Sequence, residues 1–216
     1  LSSTLSVDGK IYANDSLSVG GEVILSSTLS LHDTLYADSN VIISEDLSVG
    51  GDVILSSTLS LHDILYVDSN VIINGTLSVR DTCTFSSNLI VHADIEAFDE
   101  VTIHKTLYAN SNILISSHVS IHEELYVNSN VFIENDLSVN HSVFVDSNVY
   151  IGGILSVKGE SIFDGNAIFN ADLTLEKTFF ANSNVNIKDT LSVQGESTFD
   201  GEMTMNNTLN TSNVEM

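Results

Sequence analysis

The chain of 216 residues has no proline, no tryptophan, a single cysteine and only six lysines and arginines. Each shortage excludes something. With Cys83 alone there is no intramolecular disulfide framework. Six basic residues against 29 aspartates and glutamates leave a formal charge of −23. A general nucleic-acid binder needs a basic footprint, and anionic lipid attracts basic segments, so neither partner is expected. No apolar run approaches the roughly 18 residues that span a bilayer, so membrane insertion is not expected either. The excess charge favours solubility in a chain that is 43% hydrophobic. The chain starts on Leu1 in mid-pattern, without an initiator methionine or a signal peptide. It reads as a segment of something longer or as a processed product.

Chemistry-bearing motifs are also missing. There is no nucleophile elbow, P-loop, H-E-x-x-H or dinucleotide fingerprint, and the expectation is that the chain is not an enzyme.

What the chain has instead is a repeat. Stepping by six from Leu5 through Ile11, Leu17 and Val23 to Leu209 meets an apolar residue everywhere except Ser161 and Ser197, before ending on Glu215. Stepping by six from Val7 through Ala13, Val19 and Leu25 to Met205 meets only apolar residues, and Thr211 then fails. No insertion disturbs this rhythm, which predicts one uninterrupted domain over 1–216. Two apolar residues separated by one share a face of a strand, and the residue between them faces the other way. The three remaining residues must turn the chain. Gly9, Gly21, Gly51, Gly75, Gly153, Gly159, Gly165, Gly195 and Gly201 all fall two residues after the second apolar position. Ser, Asp or Asn usually stands there otherwise, as at Asp33, Ser39, Asp63 and Ser69. These residues accept a left-handed or tight-turn backbone most readily. Each hexad is thus a short strand and a corner. A helix is excluded, because a six-residue period keeps no helical face.

Three hexads per coil is the geometric expectation, and the residues between the inward pairs test it. Sorted by 18, they separate into three sets. One runs Ser18, Tyr36, Ile54, Ile72, Ile90, Tyr108, Tyr126, Phe144, Ile162, Phe180, Thr198 and is almost wholly apolar. A second, containing Ile24, Ser60, Glu96, Phe132 and Asn186, is mixed. The third, from Tyr12 through Ser30, Thr84 and Ser156 to Asn210, is rich in Ser and Thr. A period of six alone would not separate them. The fold expected is therefore all-β: a triangular β-solenoid, or β-helix, of 18 residues per coil and about 12 coils. Either hand satisfies the pattern. A threefold-symmetric intertwined trimer would make all faces equivalent, so the inequality of the faces points to one chain per solenoid.

Within the core, large and small inward residues alternate: Phe179 with Ala181, Ser161 with Phe163, Ala167 with Phe169, Ser197 with Phe199. Cys83 stands inward beside Phe85 and reads as a small buried hydrophobe. His32, His62, His92, His104 and His122 each follow a second apolar position, near a corner. His104 and His122 would stack, with Glu123 and Glu124 close by, but a metal site needs three or four converging ligands. Solvated corner histidines are the expectation. Asn112, Asn130, Asn148 and Asn184 share one phase. They suit a hydrogen-bonded ladder up the solenoid. Calcium at the acidic and Asn corners is the functional reading of the same positions, although the G-G-x-G-x-D pattern is absent. No other cofactor is expected. Asn14, Asn74, Asn140, Asn206 and Asn210 begin N-x-S/T triplets, which matter only in a secreted chain.

The hexad rhythm resembles the hexapeptide-repeat acyltransferases in architecture. Their small fourth-part position is here usually large, as at Leu17, Leu29 and Leu47, so their site is not carried over. The chain also resembles bactofilins, a likeness that implies end-to-end polymerisation of triangular solenoids. Units such as LSVGGDV and LYVNSNV, which fill the whole chain, resemble repetitive fibre and tail-associated proteins of phages and large DNA viruses. That resemblance implies a filament or fibre.

The expected function is accordingly structural: a filament subunit or fibre shaft, self-associating end to end through uncapped coils and side by side through the apolar face. The lateral candidates are Tyr36, Ile54, Ile72, Ile90, Tyr108, Tyr126, Phe144, Ile162 and Phe180. Few basic residues mean few trypsin sites, which suits an extracellular, cell-surface or virion-surface rod. The alternative is a surface-binding module, such as an adhesin stalk. Ice binding is weakly supported, because no regular Thr ladder exists.

Overall fold

A computed structural model describes residues 1 and 3–215, with side chains described up to Asn210. Among these residues the chain forms strands and three-residue corners only, starting with Leu5–Val7, Ile11–Ala13 and Leu17–Val19. The fold is the expected all-β solenoid with 18 residues per coil. Every strand lies parallel to the strand one coil away, as in Leu107–Ala109 against Leu125–Val127, with Leu107 opposite Leu125. The backbone ladder has a fixed grammar. The first residue of a strand donates to a carbonyl in the next coil, and the residue after the strand donates to one in the previous coil. Leu107 N donates to Glu124 O at 3.0 Å, and Asn110 N donates to Val91 O at 3.1 Å. Each coil is thereby tied to both neighbours of the same chain, so the solenoid is single-chain.

The core is the axis of the prism. From Val19 to Phe199 the two inward positions of every strand are buried, including Cys83 and the two serines. Burial pushes the Cys83 thiol up to about 12, with Asp81 and Asp99 adding to it. The large–small alternation operates in two directions. Along the strands Phe179 accompanies Ala181, and along the axis Phe179 lies between Ser161 and Ser197 while Ala181 lies between Phe163 and Phe199. The space left by the small residues lets the phenylalanines meet edge to face: Phe163 and Phe179 at 5.7 Å, Phe179 and Phe199 at 5.2 Å. Such pairs add about 0.5–1.5 kcal/mol beyond their buried area.

Of the left-handed or tight-turn backbone expected at the corners, the left-handed form is not used: among the described residues no glycine and no other residue has positive φ. Glycine serves close approach instead. A Cβ on Gly75 would lie 2.6 Å from the carbonyl carbon of Ser57, one coil below, and Gly21, Gly51, Gly165 and Gly201 repeat this conflict. The solenoid makes about eleven turns of 18 residues. The rhythm also slips once. Strand Leu191–Phe199 runs straight through its corner, and its register against Leu209–Glu215 shifts between Val193 and Glu196. Ser197 pairs with Val214, where an unbroken register would have offered Glu215. Thr211 and Glu215, the two polar interruptions of the pattern, lie outside the residues whose side chains are described, but their loss of apolar character coincides with the slip.

Candidate interaction surface

The nine apolar residues from Tyr36 to Phe180 form one continuous column. Register pairing places Tyr36 opposite Ile54, Ile72 opposite Ile90, Tyr108 opposite Tyr126, and Ile162 opposite Phe180, each one coil apart. Tyr36 and Tyr108 are exposed and the other seven are half-buried, because each side chain rests on those above and below it. The rings of Tyr108, Tyr126 and Phe144 stack at 4.8 Å with interplanar angles of 5° and 7°. That spacing equals the coil rise. The ring faces are therefore occupied by one another, and the ring edges point outward. Burial and the Glu124 carboxylate, which accepts the Tyr126 hydroxyl proton at 3.0 Å, hold the Tyr126 phenol above its ordinary pKa.

The face expected to be mixed carries a second, shorter apolar column that residue-by-residue reading understated. Leu114, Phe132, Tyr150 and Ile168 follow one another in register. Phe132 and Tyr150 stack at 4.6 Å. A shallow groove of about 380 Å³ lies between this column and Asn130, Asn148 and Asn166. The third face is hydroxyl-lined from Thr84 through Ser120 and Ser156 to Ser192. The rod is thus amphipathic around its circumference.

The corner between the two apolar faces holds the Asn ladder. Asn112 Oδ1 accepts from the backbone N and the Nδ2 of Asn130, and from Ser129 Oγ at 2.9 Å. Asn130 Oδ1 does the same for Asn148 and Ser147. The ladder reaches further than the four asparagines named from sequence. It begins at Asp94, whose Oδ1 takes Ser111 Oγ and Asn112 N, and continues through Asn166 and Asn184 to Glu202 N. The other two corners use the same device: Asp52 accepts from Asn70 N, and Asp136 accepts from Ile154 N. Where Asp or Asn stands before a strand, as at Asn40, Asp46, Asp52, Asn88, Asp136 and Asp172, its side chain thus accepts from the amide 18 residues on. The signal was present in the recurring S-N and D-S-N pairs, but its generality shows only when all three corners are compared.

The ionisable groups respond to these partners. Hydrogen bonds from Ser111 and the Asn112 amide hold Asp94 below the usual carboxylate range. The Lys105 ammonium, 2.8 Å away, does the same for Glu123. Asp63 goes the other way. Desolvation, then its neighbours Asp46 and Asp81, raise its carboxyl. His104 and His122 stack as expected, with centroids 4.5 Å apart. Among the described residues no group of three or more His, Cys, Asp or Glu converges on a metal-sized site. Comparison with known families, with curated proteins and with solved structures finds no match to this chain.

Proposed function

We propose that the chain is a structural rod, the shaft or a subunit segment of a filament or fibre exposed outside the cell or on a virion. One observation carries this reading: apart from the straight run Leu191–Phe199, the solenoid turns at three-residue corners between its strands, and among the described residues no loop departs from it to build a site. Catalytic and ligand-binding residues are concentrated on loops held by a scaffold. A prism without such loops offers stiffness and three flat faces. The apolar column supports side-by-side association, since monomeric proteins seldom expose a contiguous apolar strip of this extent. Parallel β-stacking also propagates along the axis, which suits end-to-end growth of the filament.

The test is negative-stain microscopy of the purified chain beside the double variant Tyr108→Lys, Tyr126→Lys. The rod reading expects stiff rods from both proteins and lateral bundles from the unsubstituted chain alone. Compact particles, or glycan binding or thermal hysteresis by the isolated chain in place of rods, would overturn it. Sugar binding by stacking is disfavoured at the aromatic column, because the ring faces that a pyranose would cover already cover one another.

A further inference from the structure

Resting on the rod reading, we infer that the apolar column binds a second copy of this chain running in the opposite direction, with the twofold axis at Tyr108. Three observations point to a copy rather than to an unrelated partner. First, the column has nine rungs at the coil rise, so it is roughly 40 Å long, and another parallel β-stack shares its repeat of about 4.8 Å over that whole length. Second, with a face about 15 Å wide, the column covers roughly 600 Å² on each copy, or about 1,200 Å² in all, the lower end of the range for specific interfaces. Third, the charges flanking the column tolerate the reversal. It brings Glu124 towards Asn88 and Asp146 towards Asn74. Asp33 meets Lys177; the like-charge meetings among the flanking corner residues are Asp52 with Glu160 and, on the axis, Lys105 with its own copy, each lysine already paired with Glu123 at 2.8 Å.

Side-chain size selects the direction. The column is not uniform: Ile54, Ile72 and Ile90 follow Tyr36 in its first half, while Tyr126 and Phe144 begin its second. If two copies ran parallel and in register, every rung would face itself. Around the centre Tyr126 and Phe144 would oppose themselves on one side of Tyr108, and Ile72 and Ile90 would oppose themselves on the other, leaving the gap between the faces uneven. Reversal about Tyr108 sets Ile90 against Tyr126 and Ile72 against Phe144. The four rungs next to the axis then each pair a ring with an isoleucine, the two tyrosines at 108 meet on the axis, and only the outer rungs, Tyr36 with Phe180 and Ile54 with Ile162, meet like with like. Constant summed volume across facing positions is what close packing requires.

Variants with one added cysteine read this geometry directly. Facing sheets lie about 10 Å apart, too far for a disulfide, so the probe is a short bis-maleimide. Native Cys83 is 1% exposed and inward, which makes the unsubstituted chain the unreactive control. The inference expects Tyr108→Cys to cross-link to itself. Ile72→Cys and Phe144→Cys should give dimers only when mixed with each other. Tyr126→Lys should raise the dimer dissociation constant by about tenfold or more in sedimentation equilibrium. Self-cross-linking of Ile72→Cys and of Phe144→Cys would show parallel copies and overturn the inference. So would a chain that sediments as a monomer at high micromolar concentration with no cross-link at any position. Microscopy of the same samples separates the two readings: single rods mean that pairing alone has failed, and compact particles mean that the rod reading has failed.

Discussion

At the scale of the residue, three predictions follow from partners the structure supplies or withholds. The Ser161 hydroxyl is wholly buried and has no hydrogen-bond partner. A buried hydroxyl left unpaired costs about 1–3 kcal/mol, so Ser161→Ala should raise stability by about 1 kcal/mol in chemical denaturation. The serine is nonetheless small for a reason, since Phe179 occupies the space above it. Asn130→Ala has the opposite sign. It removes the acceptor for the Asn148 amide and for Ser147, and should cost about 1–2 kcal/mol by the same measurement. The third prediction concerns pH. The folded pKa of Asp63 is raised, so its carboxylate opposes folding once charged, and Asp63→Asn should stabilise the protein at neutral pH. Asp94 is lowered in the fold, so its contribution is present above the unfolded value and disappears as pH falls through the folded one. Asp94→Asn should therefore weaken the protein modestly at neutral pH, and both differences should vanish at pH values well below the carboxylate range. Denaturation midpoints of the two variants across pH 2–7 would check the opposite signs.

At the scale of the element, the unit is the hexad, and its corner is set by how closely coils approach. Gly75→Ala should destabilise by about 1 kcal/mol or more, because the new Cβ meets the Ser57 backbone and the corner must open to receive it. Gly9→Ala should be neutral, because nothing lies within 4 Å of its Cβ position. If both substitutions cost the same in thermal denaturation, close approach is not what the glycines provide. The hexad was legible in the sequence because inward apolar residues and outward residues alternate in a strand, and the 18-residue period followed from Tyr108, Tyr126 and Phe144 recurring on one face. The corner backbone was not. Glycine is equally at home with positive φ and beneath a crowding neighbour, and only the coil below distinguishes the two. The slip near Val193 was illegible for a similar reason. The sequence marks where the apolar pattern fails, at Thr211 and Glu215, but not that the backbone pairing shifts between Val193 and Glu196. Of the candidate surface, the long column was readable rung by rung. The run from Leu114 to Ile168 was hidden among the serines and Glu96 of the same face.

At the scale of the whole molecule, burial on the axis opposes a formal charge of −23 spread over the surface. Near neutral pH that charge opposes association and holds it to pairs. As pH falls towards the isoelectric point near 4.1, or as salt screens the corners, the apolar columns should bring copies together. Light scattering should therefore rise on acidification and with added salt, and it should rise less in Tyr108→Lys, Tyr126→Lys. The measurement that tests the central claim most directly is mass per unit length by scanning transmission electron microscopy. A single-chain solenoid with 18 residues per coil and a rise of about 4.8 Å gives about 0.4 kDa per Å. The account predicts that value for isolated rods and twice that value for laterally paired ones. Rods of about 0.4 kDa per Å with threefold symmetry about their axis would mean intertwined chains, and particles with no extended axis would mean no rod; either would contradict it.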